Sequence, residues 1–480
     1  MIQNRKTYCK VAKTAMSWRF LAVSCWFLVK KPPGVGGFCC QNDYVDTSLA
    51  FGRGFPQDTS SRMGSKRISA LTAVCFVLAG LAFGASAPGS IAFIRDGDVW
   101  VQDLTRGISA RLTNDGHNHS PRWSPTGEWL AFLKEGQAWV IRPDGSAAAF
   151  LADTVEWSSK LEWSPDGNAL AVESAGIFRL ESEAVWKKQA SGRVTERLVW
   201  RPHGQDWVDG AMTIGNGTPL VPNAPGPLIP AVWSGNGKQI LYWAAPEKSA
   251  SILADGLPLF VVNVDGGAPR ATGARTLLYS DFVKVAPGGA TVALVESGGR
   301  ESWQDQRIAV FDFATGALTR LTPETEAAIS PDWSPDGKRI AFVASRDYGP
   351  EESALPHRVI TTNGTVRDFP PGPRVGVSFE QSQATLRGRR IWLMNPDGGG
   401  RVQLTNEIQF RDERPLWSSD GTQILFARID PSGARSLWTA GAGGSPPHKV
   451  VDDLSIPKRA LFSGEYYGHI QWEQFFDWRR

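Results

Sequence analysis

Six copies of one short phrase punctuate the chain. Trp123-Ser124-Pro125-Thr126-Gly127, Trp163-Ser164-Pro165-Asp166-Gly167, Trp333-Ser334-Pro335-Asp336-Gly337 and Trp417-Ser418-Ser419-Asp420-Gly421 are each followed by a short apolar run. Trp233-Ser234-Gly235-Asn236-Gly237 and Val285-Ala286-Pro287-Gly288-Gly289 are decayed copies between them. Self-similarity on this scale marks a chain assembled from stacked units, none of which buries its apolar face alone.

The runs after the phrase, such as Ala169-Leu170-Ala171-Val172, Ile340-Ala341-Phe342-Val343 and Ile424-Leu425-Phe426-Ala427, are short, β-branched or aromatic, and bounded by Gly and Pro. They predict strands. A further strand follows in most copies, then a second turn signal such as Pro143-Asp144-Gly145 or Pro396-Asp397-Gly398, then a segment ending in Arg111-Leu112-Thr113, Arg320-Leu321-Thr322 or Gln403-Leu404-Thr405. Each unit therefore predicts four antiparallel strands. Pro presets φ in the turn, Asp bonds the local backbone, and Gly takes a left-handed conformation that costs other residues roughly 1–2 kcal/mol. The anchor Trp supplies a large apolar surface between neighbouring sheets.

Four-stranded units at this spacing predict an all-β chain, a single β-propeller in which sheets pack radially around a channel. Trp-Ser-Pro-Asp-Gly followed by an Ile-Ala-Phe type strand resembles the WD40-like (PD40) repeat of the TolB-type propellers, from about Ser90 to Asp453. Six anchored units plus one shared between the termini predict seven blades, with six and eight as alternatives. The shared blade takes Ser90–Ile94, Val99–Gln102 and Ala110–Thr113, and Gly468–Trp472 is expected to supply its inner strand. Such joining of the termini removes exposed sheet edges. Wide gaps between anchors predict insertions near 181–230, where Trp200 is a possible decayed anchor, and near 346–389, between the second and third strands of a blade. The propeller with its insertions is expected over residues 88–480.

All five cysteines, Cys9, Cys25, Cys39, Cys40 and Cys75, precede residue 76, so the propeller needs no disulfide. Met63-Gly64-Ser65-Lys66-Arg67, the apolar run Ile68 to Phe83 and the small residues Ala85-Ser86-Ala87 have the layout of a secretory signal peptide, or of an uncleaved anchor, over 63–87. Residues 1–62 then read as a gene-model extension or a disordered segment. An extracytoplasmic location follows, whether periplasmic, secreted or envelope-associated, with membrane contact only through the N-terminal segment if it is retained. The 51 basic and 48 acidic residues, well mixed, give no nucleic-acid footprint.

The chain contains no Gly-x-Ser-x-Gly elbow, no His-Glu-x-x-His and no phosphate-binding Gly-x-x-x-x-Gly-Lys. No catalytic residue and no cofactor is assigned. In TolB-like blades the residues ahead of the anchor Trp lead into the innermost strand at the channel mouth, which here singles out His117, Asn118, His119, Glu324, Glu326, Arg411, Asp412 and Glu413 as a partner site. His117 and His119, two apart on a strand, are the weak candidates for a metal, against the simpler reading of a hydrogen-bonding edge. Asp96-Gly97-Asp98 reads as a hairpin turn rather than a calcium loop. The aromatic C-terminal stretch, Tyr466 to Trp478, is expected to pack across the propeller.

Two functional readings follow. The first is an exported, non-enzymatic scaffold that binds a protein, peptide or envelope ligand; the second is a propeller enzyme, hydrolase or lyase in type, with a metal or acid/base site at the channel mouth. A sugar-binding module would instead require several non-anchor Trp, such as Trp186, Trp207 or Trp303, to be exposed on one face. The TolB resemblance implies protein partners. Because only the export segment is expected before Ser90, the α/β domain that precedes the propeller in TolB is not expected here, nor is a Tol-Pal role.

Overall fold

The serine of the repeated phrase closes the turn that the phrase encodes. Ser164 Oγ accepts from Ala169 N at 2.8 Å, Ser334 Oγ from Arg339 N at 2.9 Å and Ser418 Oγ from Gln423 N at 2.9 Å. The same hydroxyls donate to Asp336 Oδ1 and Asp420 Oδ1, each at 2.6 Å, while Gly337 N and Gly421 N reach back to the serine carbonyls. Gly167, Gly337 and Gly421 have φ of 72°, 68° and 68°, as the turn requires. Serine is thus the residue that ties the turn to the start of the next strand.

A computed structural model describes residues 89–154, 160–172, 175–188, 199–200, 207–208, 213–214, 218–224, 226, 228–245, 256–297, 299–347, 352–353, 357–360, 366–369, 372–373, 379–456 and 465–479. The export segment over 63–87 and the extension over 1–62 lie outside them. No helix among the described residues is long and apolar enough to cross a membrane.

Seven four-stranded antiparallel sheets make up the fold. Sheet 1 comprises, from its inner edge outwards, Phe476–Arg479, Ser90–Arg95, Asp98–Asp103 and Ile108–Arg111. Sheet 2 is Asn118–Trp123, Leu130–Lys134, Gln137–Ile141 and Ala149–Asp153. Sheet 3 is Leu161–Trp163, Ala169–Val172, Gly176–Ser182 and Val185–Lys188. Sheet 4 is Leu228–Trp233, Gln239–Ala244, Leu257–Asn263 and Arg270–Thr276. Sheet 5 is Val283–Val285, Thr291–Ser297, Gln306–Asp312 and Leu318–Arg320. Sheet 6 is Glu326–Trp333, Ile340–Arg346, Arg390–Met394 and Val402–Gln403. Sheet 7 is Arg411–Trp417, Gln423–Ile429, Arg435–Gly441 and His448–Val451. Second strands are almost wholly buried and the outermost strands largely exposed, as for sheets packed face to face.

The inner strand of sheet 1 comes from Phe476–Arg479, paired so that Ser90 faces Arg479 and Phe93 faces Phe476. Gly468–Trp472, expected in that place, instead contributes His469–Ile470 to a small hairpin with Glu465–Tyr466. The reason lies in register: Asp477-Trp478 repeats the Asp332-Trp333 pair of sheet 6, so Trp478 stands where an anchor should. Among the described residues Val199–Trp200 pairs with Trp207–Val208 and joins no four-stranded sheet. The connection from Arg346 to Arg390 carries two ribbons, Glu352–Ser353 with Gly372–Pro373 and His357–Ile360 with Val366–Phe369. It also carries a helix, Phe379–Arg387, which the Pro- and Gly-rich composition hides.

Neighbouring sheets meet through the anchor level. Trp163 Nε1 donates to Arg122 O at 3.2 Å and Trp333 Nε1 to Lys284 O at 3.0 Å. Trp417 N donates to Asp332 Oδ2 and Trp123 N to Asp477 Oδ2, both at 2.8 Å. Each acceptor stands one residue before the anchor of the preceding sheet. Between sheets 7 and 1 the joint is apolar, with Leu416, Leu425 and Leu437 packed on Ile91, Phe93 and Trp478. The recurrent Arg-Leu-Thr ending is also structural: Thr113, Thr322 and Thr405 hydroxyls accept from Val99 N, Ile308 N and Ile391 N at 2.9–3.0 Å.

Candidate functional site

An antiparallel meander of four strands puts the anchor turns and the turns before the outermost strands at one end, and every other connection at the opposite end. The turn end is uniformly tight. Every long connection leaves from the other: Lys188 to Leu228, Ala244 to Leu257, Arg346 to Arg390 and Val451 to Phe476. The eight sequence-predicted site residues lie at or near this loop end, where the inner strands begin.

Four of those strands are bent by a feature the sequence displays but its turn phrase does not. The ladders of sheets 2, 6 and 7 shift register between His119 and Arg122, Ile329 and Asp332, and Glu413 and Leu416. Ser120, Ser330 and Arg414 sit there in the left-handed region, with φ of 55°, 55° and 53°, each followed by proline. Sheet 4 is irregular at the related Pro230. Proline lacks the N–H a regular ladder needs, so a bulge accommodates it. A proline two residues ahead of the anchor Trp in sheets 2, 6 and 7, and three ahead in sheet 4, was the available signal.

Onto these bulges folds the C-terminal segment, as its aromatic composition predicts. His469 Nε2 donates to Asp281 Oδ1 at 2.9 Å, and the His469 ring stacks on Tyr279 with centroids 3.7 Å apart. Asp281 also accepts from Ser330 Oγ at 2.6 Å and faces Arg414 at 3.9 Å. Trp472 Nε1 donates to Glu413 Oε2 at 2.8 Å, Arg122 Nη1 to Glu473 O at 2.9 Å, and Ile94 N to Phe475 O at 2.8 Å. Residues 465–475 therefore touch sheets 1, 2 and 7 and the segments that lead into sheet 5 and into the third strand of sheet 6. Asp281, Ser330 and His469 have the composition of a hydrolytic triad but the wrong order: the carboxylate stands between hydroxyl and imidazole, so no base faces the serine. Burial works against ionisation of Asp281, yet His469, Arg414 and Ser330 hold its carboxyl far below the usual range.

The predicted residues divide into two groups. Asn118, Asp412 and Glu413 are buried, which corrects their assignment to a partner surface. Asn118 Nδ2 donates to Thr113 Oγ1 at 2.9 Å and Asp115 Oδ1 at 2.7 Å, fixing the approach to sheet 2. Asp412 takes a two-pronged bond from Arg428 at 2.7 and 3.0 Å, and burial raises its carboxyl despite that partner. Glu413 lies between Arg389 and Arg411; burial pushes its carboxyl up, but Arg411 and Arg389 prevail and hold it at about 2. Arg411 is mostly covered and bonds Glu465 at 2.8 Å and Gly468 O at 3.1 Å, pinning the C-terminal segment. Arg389, 1% exposed, joins Glu413, Gly468 O and Ser302. Neither Arg389 nor Arg428 carried any signal in the sequence, because each partner is remote in the chain.

The second group reaches solvent. His117 pairs with Glu135 at 3.2 Å and Glu324 with Arg307 at 3.2 Å, while Glu326 pairs with Arg401. His119 is partly buried beside Ser120 Oγ at 3.0 Å, and burial pushes its imidazole down to about 4. The two histidines do not converge on one site, and no group of three or more His, Cys, Asp or Glu among the described residues is placed to hold a metal. Trp186 packs edge-on against Trp129 and Trp163, with centroids 5.4 and 5.6 Å apart, so it glues sheets 2 and 3 instead of presenting a face to sugar.

No family model matches the sequence. Dipeptidyl-peptidase 5 of Porphyromonas gingivalis is 24% identical over 367 residues, covering 69% of this chain and 51% of that protein. A TolB homolog of Chlorobium luteolum is 29% identical over 233 residues, 42% of this chain and 52% of the relative. The chain thus spans about half the length of these curated relatives. Among solved structures, TolB of Acinetobacter baumannii aligns over 74% of this chain and 77% of its own, with a TM-score of 0.34 and 14% identity. Taken with its seven sheets and its Trp-Ser-Pro-Asp-Gly turns, the chain is a TolB-like β-propeller.

Proposed function

We propose that this propeller is an exported, non-enzymatic scaffold that binds a protein or peptide partner at its loop end. The observation that carries the reading is the C-terminal segment laid across the loop-end starts of the inner strands, held by His469, Trp472 and the Arg389–Glu413–Arg411 cluster. A loop end covered in part by the protein's own chain favours recognition on its rim over chemistry in a cavity. The rim offers His117, Glu324 and the 86% exposed Ile408, an apolar tip in the connection between sheets 6 and 7. TolB relatives supply the expectation of a protein partner, and the 63–87 segment that of export.

A photo-crosslinking residue placed at His117, Glu324 or Ile408 in intact cells is expected to trap one reproducible protein. The same residue at Asp144 or Asp336, in turns of the opposite end, should trap none. Equal trapping at both ends, or none at the loop end, would refute the assignment. Stoichiometric metal in the purified protein, lost when His117 and His119 are both changed to Ala, would turn the reading towards an enzyme.

A further inference from the structure

The third strands of four sheets carry tryptophan at one register. Trp100, Trp139, Trp392 and Trp438 pair across to Arg111, Phe150, Gln403 and Lys449 of the outermost strands, at a constant spacing along the chain. A cation lies over each indole: Arg95 at 5.3 Å, Lys134 at 5.5 Å, Arg401 at 5.5 Å and Arg428 at 4.6 Å. In sheets 1, 6 and 7 the outermost strand sets a polar or charged side chain beside the capped ring. Sheet 2 departs from them, because its outermost strand supplies a second ring. Phe150 is 47% exposed, and it is the one aromatic among the exposed large apolar side chains of the described residues. Scattered exposed apolar residues need no explanation. A register that is polar in three sheets and phenyl in the other does.

The Phe150 ring is held in place. It meets Trp139 edge-on, with centroids 5.6 Å apart and planes at 63°. Trp139 in turn packs on the buried layer of Ile94, Val99, Phe132 and Ile141 between sheets 1 and 2. Its Nε1 donates to Gln137 Oε1 at 3.2 Å, and Gln137 Nε2 donates to Asp153 Oδ1 at 3.3 Å. The ladder shifts register between Ala138 and Trp139, so Asp153, opposite Gln137, comes onto the same face as Phe150, opposite Trp139. An exposed ring therefore stands beside an amide and a carboxylate that are already aligned. Lys134 bonds Asp115 at 2.9 Å, so its charge is matched within the protein.

We propose that Phe150, Gln137 and Asp153 form a sugar-binding site on the outer edge of sheet 2, and that its ligand is a pyranose ring of an uncharged glycan. The electron-rich face of the phenyl ring attracts the C–H-bearing face of a pyranose. The Asp153 carboxylate accepts from hydroxyls at the edge of that sugar, and the Gln137 amide has a second N–H to donate. Acidic sugars are disfavoured by the charge of Asp153. A proline-rich peptide also docks on aromatic rings, but there an indole N–H serves the peptide carbonyls, and that of Trp139 is committed to Gln137. The site lies apart from His117, Glu324 and Ile408, so it goes beyond the partner-binding reading and stands without it.

Saturation-transfer NMR on the full chain, irradiating aromatic protons, would be run with chitotetraose, maltohexaose and cellohexaose in turn. At least one of them is expected to receive saturation on its ring C–H protons. Phe150→Ser should weaken that glycan about tenfold, the equivalent of about 1.4 kcal/mol. Phe150→Trp, which keeps a ring, should retain it, and Val402→Ser, at an exposed position of sheet 6, should leave it unchanged. Urea midpoints of the variants are measured alongside. If Phe150→Ser lowers the midpoint, Asp153→Ala decides, because its side chain is exposed, and it too should weaken binding. Binding of none of the three glycans overturns the proposal. So does unchanged affinity in Phe150→Ser and Asp153→Ala, or a decaproline peptide that binds through Phe150 where no glycan does.

Discussion

The backbone N–H of Trp417 is held by the carboxylate of Asp332, at 2.8 Å, across the boundary between sheets 6 and 7. Asp332 is 2% exposed, and its other oxygen lies 3.3 Å from Lys284 Nζ in sheet 5. One side chain thus spans three sheets. Replacing it with Ala should cost about 2–4 kcal/mol in chemical denaturation, because a buried N–H loses its acceptor and Lys284 its counter-charge. Asp332→Asn, which keeps an oxygen near Trp417 N, should cost less. Equal losses for the two variants would mean that the inter-sheet bond contributes little.

Glu413→Ala should be more damaging than any change at the exposed Glu324. It strands Arg389 and Arg411 without a counter-charge and frees Trp472 Nε1, and breaking one partner of a buried pair costs about 3–5 kcal/mol. By the same logic Asp412→Ala should be destabilising, since Arg428 would lose its two-pronged partner. Thermal unfolding of Glu413→Ala, Asp412→Ala and Glu324→Ala side by side provides the measurement, and a Glu324 variant as unstable as the other two would contradict it.

Acid should weaken the fold through His119 before it weakens it through Glu413. The imidazole is held at about 4 in the folded chain, against an ordinary value of 6.5 when unfolded. Between those values the unfolded chain binds the extra proton, so stability present above pH 6.5 is lost as pH falls towards 4. Below that, Glu413 adds a further loss as pH approaches 2. His119→Gln should flatten the upper part of the curve and leave the lower part; an unchanged curve would show that another group titrates there.

Two turn glycines should differ. Gly337→Ala meets only Pro287 Cδ at 3.9 Å, so its cost is conformational, about 1 kcal/mol or slightly more. A Cβ on Gly235 would come within 2.5 Å of the Gly289 Cα in the next sheet, backbone against side chain with no flexible atom to give way. Gly235→Ala should therefore be the more destabilising, although Gly235 belongs to a decayed repeat. Matched midpoints in urea for the two variants would count against this.

What was legible in the sequence followed from local chemistry. The turns, the strands after them and the number of sheets were encoded within a few residues, where Pro, Asp, Ser and Gly have fixed geometric roles. The inner strand of sheet 1 was misplaced because Asp477-Trp478-Arg479 breaks off before any turn, leaving the pair without its phrase. Asp412 and Glu413 read as surface charges because their partners, Arg428 and Arg389, lie 16 and 24 residues away and come close only through the fold. His469 drew no attention as a site residue for the same reason: Asp281 is far away in sequence.

Because Phe476–Arg479 completes the sheet that Ser90–Arg95 begins, the earliest propeller strand to leave the ribosome waits for the last. Synthesis at about 5–20 residues per second leaves that strand's edge unpaired for tens of seconds. A message truncated near its end would yield a chain with six finished sheets and one permanent open edge.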